Sequence, residues 1–265
     1  MPHAEIGALS LYYEVHGEGP SLVLVEGLNF HTWMWFRQVP ELSRRFRVLT
    51  YDNRGVGLSD KPPGPYTVEQ NARDLAGLLD YLGWERAHVL GHSMGGFIAQ
   101  ELALLYPERL DKLVLVSTGF GGPNTVPIPE EAQRVFTPDP SLSYEAQVRR
   151  AMPVDFGDPS WPESHQEEYE QMIRWRVDLP QPLEAVDAQL AAVLGFNVEN
   201  RIAEIRAPTL IIAGTNDSVI PVENSRLLAA ALLNARLDLI PGAGHLVFIE
   251  EAGRFNRDVT AFLER

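Results

Sequence analysis

Residues 87–106 read AHVLGHSMGGFIAQELALLY and predict the central unit of the fold. The first five residues form a short apolar run, which is typical of a buried strand. Residues 97–106 carry apolar side chains at helical spacing, and Pro107 predicts the end of that helix. Between strand and helix, residues 91–95 read GHSMG, which fits the pattern G-x-S-x-G of a serine on a sharp strand-to-helix turn. The stretch therefore predicts a turn that exposes Ser93 as a nucleophile.

Short apolar runs alternate with helical segments on both sides of this unit. Residues 67–82 predict an amphipathic helix that begins with a capping box of Thr67 and Gln70 and ends at Gly83. Further helices are predicted over residues 222–233 and 254–263. The predicted strands are residues 10–15, 21–26, 46–52, 87–91, 113–117, 209–213 and 236–240. This rhythm favours an α/β fold with a mostly parallel, doubly wound sheet covered on both faces.

The stretch from Gly119 to about Asn200 differs from the rest of the chain. It holds ten of the twenty prolines and no strong strand pattern, so it predicts an inserted helical segment. Its helices are predicted near residues 130–135, 144–152, 166–177 and 183–194. Because the strand pattern resumes at Ala207, the segment interrupts one domain. We expect a core of residues 1–119 and 203–265 and a helical cap at residues 120–202.

Composition excludes several classes of function. A chain of 265 residues, 45% of them apolar, predicts one large domain. The net charge of −14 argues against nucleic acid or an anionic membrane surface as a partner. The absence of cysteine excludes disulfides, thiolate catalysis and Cys-ligated metals. No apolar run approaches the roughly 18 residues of a membrane span, and the first residues lack a signal-peptide pattern, so we expect a cytoplasmic protein.

A serine nucleophile needs a base, and the base needs an acid that orients it. Asp217 follows the predicted strand at residues 209–213, and His245 follows the predicted strand at residues 236–240. Both residues lie in loops beyond late strands, where the chain order serine, acid, histidine requires them. We predict that Ser93, Asp217 and His245 form a catalytic triad.

The tetrahedral intermediate of acyl transfer also needs two backbone N–H donors for its oxyanion. Met94 directly follows the nucleophile, so its N–H is the first predicted donor. The loop after the predicted strand at residues 21–26 continues with GLNF at residues 27–30. We predict that the N–H of Leu28 is the second donor.

Several motifs resemble the α/β-hydrolase superfamily over essentially the whole chain. They are GHSMGG at residues 91–96, YDNRGVGLSD at 51–60 and PTLIIAG at 208–214, the last followed by Asp217. Within the superfamily, PGPYTVEQ at residues 63–70 and the stretch at 29–35 resemble 3-oxoadipate enol-lactonases and small carboxylesterases. The resemblance implies the α/β-hydrolase fold, the same triad and oxyanion hole, a helical cap, and no cofactor or metal.

One position departs from the family pattern. Many members carry His-Gly where this chain has Glu26 and Gly27, and that histidine braces the oxyanion loop from behind. Two interpretations of Glu26 stay open: it braces the loop through hydrogen bonds, which we favour, or it titrates near the site. Gly27 and His92 are expected to support the site from the same region.

The residue at the nucleophile position limits the reaction. Dehalogenase and epoxide hydrolase chemistry on this fold needs an aspartate there, and the residue is Ser93. We therefore predict a carboxylic ester hydrolase that cleaves small-molecule esters or lactones through an acyl-enzyme, as a monomer or a homodimer. The alternatives are a 3-oxoadipate enol-lactonase, a carbon–carbon bond hydrolase with the same triad, and a non-catalytic ligand receptor.

Apolar side chains of the oxyanion loop and the predicted cap are candidates for substrate contacts. They are Phe30, Trp33, Phe136, Met152, Trp175 and Leu194. Four arginines of the predicted cap are expected on solvated helix faces paired with acidic neighbours. They are Arg149, Arg150, Arg174 and Arg176. On that basis neutral esters are expected to be better substrates than carboxylate-bearing lactones.

Overall fold

Eight strands form one sheet in the computed structural model, which describes residues 1–137 and 139–265. The strands are β1 (His3–Ile6), β2 (Leu9–His16), β3 (Ser21–Val25), β4 (Arg47–Tyr51), β5 (Ala87–His92), β6 (Leu110–Val116), β7 (Thr209–Gly214) and β8 (Ala235–Ile240). Their order across the sheet is β1-β2-β4-β3-β5-β6-β7-β8. β2 pairs antiparallel with β1 and with β4, and every other neighbouring pair is parallel. The predicted fold class, a mostly parallel sheet in an α/β fold, is confirmed.

Helices connect the strands and cover the sheet. They are α1 (Val39–Leu42), α2 (Val68–Tyr81), α3 (Met94–Leu105), α4 (Glu130–Phe136), α5 (Tyr144–Ala151), α6 (Trp161–Ser164), α7 (Gln166–Asp178), α8 (Leu183–Gly195), α9 (Val222–Ala231), α10 (Val247–Glu250) and α11 (Ala252–Leu263). The capping box of α2 forms as predicted, because Thr67 Oγ1 accepts from the Gln70 N–H and the Gln70 side chain accepts from the Thr67 N–H. None of the helices in the described part of the chain has the length and apolarity that a membrane crossing requires.

Alternating side chains of the parallel strands build two cores. In β3, Val23 and Val25 pack in one core with residues of α2 and α3. Leu22 and Leu24 point the other way and pack in a second core with residues of α11, such as Phe255. A strand that is buried on both faces is continuously apolar, which is why these strands read as unbroken apolar runs. Because β3, β5, β6, β7 and β8 run parallel, their carboxyl ends share one edge of the sheet.

Helices α4 to α8 lie between β6 and β7, where the proline-rich segment predicts an insertion. The two ends of this segment meet, since the Val198 N–H donates to the Phe120 carbonyl oxygen at 3.0 Å. Gly121 also forms an isolated antiparallel bridge with Asn197. These contacts between the two ends of the segment support a cap at residues 120–202, here called the insertion.

The elements that the sequence analysis missed are short or polar. β1 is absent from the prediction because it alternates polar and apolar residues over only four positions and buries Ala4 alone. Helix α3 begins at Met94, three residues before the predicted start, because Ser93 is already its N-terminal cap residue. The four-residue helices α1, α6 and α10 lack a repeat that periodicity could detect.

The glycines of the turn after β5 allow α3 to approach the sheet. A Cβ atom on Gly95 would clash with the Val25 carbonyl oxygen and would lie 2.6 Å from the Glu26 carbonyl oxygen. A Cβ atom on Gly91 would clash with the backbone of Gly95. Since all of these atoms belong to the backbone, a side chain at Gly95 would push α3 away from β3, and one at Gly91 would push α3 away from β5.

We expect the Gly95→Ala substitution to lower the free energy of unfolding by about 1–3 kcal/mol, because the added methyl group overpacks a backbone contact. Gly253→Ala in α11 is the matched control, since its nearest neighbour is a side-chain nitrogen of Arg257 at 3.7 Å. That variant should be as stable as the wild type or more stable by up to about 1 kcal/mol. Urea unfolding of the three proteins measures the difference, and equal stability of the two variants would contradict the close approach at Gly95.

Candidate active site

Ser93 lies on the turn between β5 and α3 in a strained backbone conformation. Its φ is 52° and its ψ is −118°, a region that residues other than glycine rarely adopt. Three hydrogen bonds hold this turn. The Ser93 N–H donates to the Val116 carbonyl oxygen at 2.9 Å, and the Ser93 carbonyl oxygen accepts from the Gly96 N–H and from Thr118 Oγ1, each at 2.9 Å. The half-buried hydroxyl thus lies at the N-terminus of α3, where the helix dipole favours negative charge.

His245 and Asp217 form a buried pair at the ends of β8 and β7. His245 Nδ1 donates to Asp217 Oδ2 at 2.9 Å. Asp217 Oδ1 accepts from the N–H groups of Val219 at 2.9 Å and Ile220 at 2.8 Å. Both carboxylate oxygens are thus hydrogen-bonded, which fixes the orientation of the carboxylate. Burial is the largest single influence and lowers the pKa of His245, but the charge and hydrogen bond of Asp217, together with the charge of Asp155, outweigh it and the pKa is raised overall. The arrangement leaves Nε2 of His245 as the free basic nitrogen.

Hydrogen bonds between two loops keep this pair in place. Thr215 Oγ1 accepts from the Gly242 N–H, and the Asn216 N–H donates to the Ala243 carbonyl oxygen, both at 2.9 Å. Glu250 Oε2 accepts from the Gly244 N–H at 2.6 Å, directly before His245. The sequence analysis missed Glu250, because nothing in the sequence distinguishes it from other helical glutamates.

Glu250 also connects the histidine loop to the insertion. Its Oε1 accepts from the N–H groups of Gly157 at 3.0 Å and Asp158 at 3.2 Å. Burial raises the pKa of the Glu250 carboxyl, and its bonds to these N–H groups oppose that rise. One half-buried carboxyl group therefore fixes the insertion and the histidine loop to each other.

His92 lies between Ser93 and His245. Its ring centroid is 4.5 Å from that of His245. Its Nε2 lies 3.1 Å from the His245 carbonyl oxygen, an acceptor, so Nε2 carries the proton. Burial first, and then the neighbouring His245, lowers the pKa of His92 well below its usual range, so His92 is neutral. His92 therefore binds the backbone of His245, and the Ser93 proton is left to His245.

The structure brings the predicted nucleophile and base to the same edge of the sheet. Hydrogen bonds among the described residues do not include one between the Ser93 hydroxyl and His245. Such bonds are often long without substrate and tighten when it binds. A Cβ atom on Gly27 would lie 3.3 Å from Ser93 Cβ and 2.9 Å from His92 Nδ1, so the loop after β3 is in direct contact with the serine.

The two predicted oxyanion donors are free to bind an anion. Met94 is the first residue of α3, where helical N–H groups have no partner within the helix. Within residues 1–137 and 139–265, neither the Met94 N–H nor the Leu28 N–H donates to another group. Met94 directly follows Ser93, and Leu28 directly follows Gly27, which contacts the serine.

Hydrogen bonds with residues outside it fix the oxyanion loop, residues 26–35. The Thr32 N–H donates to Asp52 Oδ1 at 2.9 Å. Asn29, with a φ of 61°, donates its N–H to Gln189 Oε1 in α8 at 3.2 Å. Glu26 accepts from Asn53 twice, at Oε1 from the N–H and at its carbonyl oxygen from Nδ2. Gln189 is wholly buried and is a second residue that the sequence analysis missed, because only the folded insertion brings α8 to this loop.

Comparison with known proteins gives the family. A family model described as the alpha/beta hydrolase fold matches residues 20–252. The chain belongs to the α/β-hydrolase-fold family. A carbamate hydrolase named RutD from Azorhizobium caulinodans is 33% identical to it over 99% of this chain and 98% of its own length. This protein is accordingly a hydrolase with the α/β-hydrolase fold.

Solved structures agree with this assignment. The enol-lactonase from Burkholderia xenovorans LB400 is 32% identical to this α/β hydrolase, with a TM-score of 0.87 and 100% of both chains covered. A meta-cleavage product hydrolase from Pseudomonas fluorescens IP01 is 25% identical, with a TM-score of 0.82 over 100% of this chain and 97% of the other. The likeness thus spans the insertion as well as the sheet.

Glu26 binds the loop after β4 rather than Ser93. Its Oε1 accepts from the Asn53 N–H at 2.6 Å, while its Oε2 is enclosed without a partner among the described residues. Complete burial raises the pKa of the Glu26 carboxyl well above its usual range, and the nearby Asp52 adds to the rise. In this α/β hydrolase the site thus favours the protonated form of Glu26, and the contact with the Asn53 N–H favours the bracing interpretation.

The predicted substrate contacts divide into two groups. Phe30, Trp33 and Met152 are buried, and Trp175 stacks on Trp33 with ring centroids 5.5 Å apart. The Phe30 ring lies 6.5 Å from that of His92, which extends this aromatic group toward Ser93.

The other two predicted contacts lie on the solvent side of their helices. Leu194 is 77% exposed and Phe136 is 39% exposed. Helix α8 buries Ala185, Ala188, Gln189 and Ala192, and that spacing turns Leu194 to the opposite face. In α4 only Ala132 is buried. The structure therefore does not bring Leu194 or Phe136 to the site.

Of the four arginines considered in the sequence analysis, Arg149 and Arg150 pair with acids as expected, and Arg174 pairs with an amide instead. Arg149 binds both carboxylate oxygens of Glu170 at 2.7 and 2.8 Å. Arg150 donates to the Thr137 carbonyl oxygen at 2.5 Å, and Arg174 donates to Gln171 at 2.7 Å. Arg176 departs from the expectation, since it forms no ion pair or hydrogen bond with any of the described residues.

We expect Glu26→Gln to keep most of the activity, because glutamine is neutral and retains an acceptor for the Asn53 N–H. Glu26→Ala leaves that N–H unpaired and loosens the oxyanion loop, so kcat should fall by about tenfold to a hundredfold. Steady-state kinetics of both variants with an activated ester measures the effect. Equal losses in the two variants would contradict the bracing role of the bond from the Asn53 N–H.

The same pair of proteins tests the protonation of Glu26. Because its pKa is raised in the folded state, the native carboxyl keeps a proton that the unfolded chain releases near pH 4.3. Wild-type stability should thus fall as the pH rises above about 4, until it reaches the native pKa of Glu26. Glutamine does not titrate, so the stability of Glu26→Gln relative to the wild type should increase over that range. A difference that does not vary with pH, measured by urea unfolding, would contradict a neutral Glu26.

Proposed function

We propose that this chain hydrolyses carboxylic esters or lactones through an acyl-enzyme on Ser93. The observation that carries the proposal is the strained turn of Ser93, with unpaired N–H groups on Leu28 and Met94 at one side. The buried pair of His245 and Asp217 lies at the same edge of the sheet. These are the parts that nucleophilic acyl transfer requires.

The reaction proceeds in two steps. Ser93 Oγ attacks the ester carbonyl carbon while His245 Nε2 takes the hydroxyl proton, and the Leu28 and Met94 N–H groups stabilise the oxyanion. When the intermediate collapses, His245 returns the proton to the departing alcohol oxygen, which leaves the acyl group on Ser93. His245 then deprotonates a water molecule that attacks the acyl carbon, and the carboxylic acid product and free Ser93 are released.

Electrostatics favours the charges that form in these steps. The Asp217 carboxylate stabilises the imidazolium of His245 and is itself held by the N–H groups of Val219 and Ile220. The N-terminal end of α3 stabilises negative charge near the oxyanion. His92 stays neutral and so adds no positive charge beside the imidazolium.

The relatives support this class of bond. A lactone is a cyclic ester, and the enol-lactonase from Burkholderia xenovorans is similar to this chain along its whole length. A carbamate also has an oxygen-substituted carbonyl group, and the relative from Azorhizobium caulinodans is named a carbamate hydrolase. A substrate panel should therefore contain nitrophenyl esters of increasing acyl length, a set of lactones and an alkyl carbamate.

We expect Ser93→Ala to fold normally and to lose ester turnover by about a thousandfold or more. A fluorophosphonate should modify the wild type on Ser93, which mass spectrometry of peptides detects, and should leave the variant unmodified. Turnover of many substrate equivalents by the wild type distinguishes an enzyme from a ligand receptor, which would give a single slow burst at most. Retention of most activity in Ser93→Ala would contradict the proposal.

We expect kcat/KM to fall at acid pH as His245 takes up a proton, because the protonated ring cannot accept from Ser93. The Asp217 charge raises the pKa of His245, so the midpoint should lie above the value of about 6.5 for an unperturbed histidine. Asp217→Asn removes that charge and should shift the midpoint to lower pH as well as slow the reaction. A profile that is flat from about pH 5 to 8, or a midpoint that does not move, would count against this base and acid.

A further inference from the structure

We propose that Asp155 is a second carboxylate beside His245 and acts as a positioning residue, which stabilises the imidazolium that forms when the base takes up the serine proton. The proposal rests on the proposed function, because it adds one group to the same acyl-transfer mechanism. Asp155 belongs to the insertion, whereas Asp217 follows β7. The insertion thus contributes to the reaction through the base.

The backbone of Asp155 contacts the loop that carries the base. Its carbonyl oxygen accepts from the Leu246 N–H at 3.0 Å, and Leu246 directly follows His245. A Cβ atom on Gly244, the residue directly before His245, would lie 2.8 Å from the same oxygen. Asp155 is therefore held against both chain neighbours of the base.

The same segment of the insertion also contacts the loop that carries the acid. The Val154 carbonyl oxygen accepts from Ser218 Oγ at 2.8 Å, and Ser218 directly follows Asp217. The Gly157 carbonyl oxygen accepts from Asn216 Nδ2 at 3.4 Å, and Asn216 directly precedes the same aspartate. The segment is therefore fixed to both loops of the catalytic pair.

The side chain of Asp155 differs from the other buried acids of this protein. The residue is only 4% exposed, yet within residues 1–137 and 139–265 its carboxyl group accepts no hydrogen bond and forms no ion pair. A buried carboxylate without a donor or a countercharge is costly. The other buried acids among these residues each accept a hydrogen bond or pair with an arginine; they are Glu26, Asp52, Asp74, Glu101 and Asp217. The Asp155 carboxylate is thus available to a cation that forms during the reaction.

The charged groups around Asp155 leave it ionised at neutral pH. Burial raises the pKa of its carboxyl to about 6, and the charges of Asp217 and Glu250 add to the rise. His245 and Arg176 oppose the rise, so these two are the cations that face the carboxylate. At pH 7 and above, Asp155 therefore carries most of a negative charge.

Protonation of His245 balances the charges at this site. While the ring is neutral, the carboxylates of Asp155 and Asp217 face one permanent cation, Arg176. When the ring takes up a proton, a second cation matches the second carboxylate. Burial lowers the pKa of His245, and the two carboxylates together raise it overall. His92 packs on the same ring and stays neutral, so it does not offset this effect.

Removal of the Asp155 charge tests the proposal. Titration of the histidine rings by NMR gives the midpoint of the base without substrate, and a His245→Gln variant assigns its signal. Asp155→Asn should lower that midpoint by about 0.5–1 pH unit, because a nearby carboxylate favours the charged ring. Asp155→Ala removes the same charge with a smaller side chain, so a folding defect in one variant leaves the other to carry the test. Both variants keep the backbone bond to Leu246.

Asp187→Asn is the matched control. Asp187 is an exposed acid of α8 in the insertion, so its replacement makes the same change of net charge. Because exposed charges are screened by salt, the His245 midpoint should stay within about 0.2 pH unit of the wild type.

Kinetics of the same variants with an activated ester gives a second readout. The plateau of kcat/KM above the midpoint should fall by about twofold to tenfold in Asp155→Asn, because a less stabilised imidazolium raises the barrier to proton transfer. The acid limb should move to lower pH together with the NMR midpoint. A substitution that only loosened the fold would lower the rate without moving either midpoint.

An unchanged His245 midpoint in both Asp155 variants would overturn the proposal, since the carboxylate would then serve only Arg176 or the fold. The NMR titration needs no turnover, so it separates this result from a failure of the proposed function. If ester hydrolysis does not depend on Ser93 but the midpoint shifts, Asp155 acts on His245 and the serine mechanism falls. If hydrolysis depends on Ser93 but neither midpoint moves, the role of Asp155 falls alone.

Discussion

The contact between the backbone of β3 and the first turn of α3 is the constraint on which the site depends. Gly95 allows the carbonyl oxygens of Val25 and Glu26 to lie against the helix, and Gly91 allows the strand to turn sharply. This contact holds Ser93 in its strained conformation and brings the oxyanion loop beside it. A wider separation of helix and strand would relax the turn and move the Leu28 N–H away from the Met94 N–H at the same time.

Two buried carboxyl groups and one half-buried carboxyl group then fix the loops that leave the sheet. Glu26 binds the Asn53 N–H, Asp52 binds the Thr32 N–H, and Glu250 binds the Gly244 N–H. Each accepts from backbone N–H groups that would otherwise be left unpaired inside the protein, so each replaces water as their partner. Burial raises the pKa of all three carboxyl groups, and the bonds from backbone N–H groups oppose that rise.

The sequence predicts most of the sheet and the positions of Ser93, Asp217 and His245, because each follows from a local pattern: an apolar run, a turn, and a polar residue beyond it. Residues that act between distant segments could not be predicted in this way. Gln189 reaches the oxyanion loop only after α8 has packed, and Arg176 differs from Arg174 only in the helix face on which it lies. The face of the helix on which a residue lies decides such roles, and it changes by about 100° from one residue to the next. Predicted helix boundaries do not determine that face.

The double use of Glu250 has a mechanical consequence. Its Oε1 accepts from Gly157 and Asp158 of the insertion, and its Oε2 accepts from Gly244 of the histidine loop. A displacement of residues 157–158 would therefore remove two hydrogen bonds from the carboxyl group that also binds the backbone directly before His245. The position of the base is thus coupled to that end of the insertion, whereas α4, which buries only Ala132, forms no hydrogen bond with the histidine loop among the described residues.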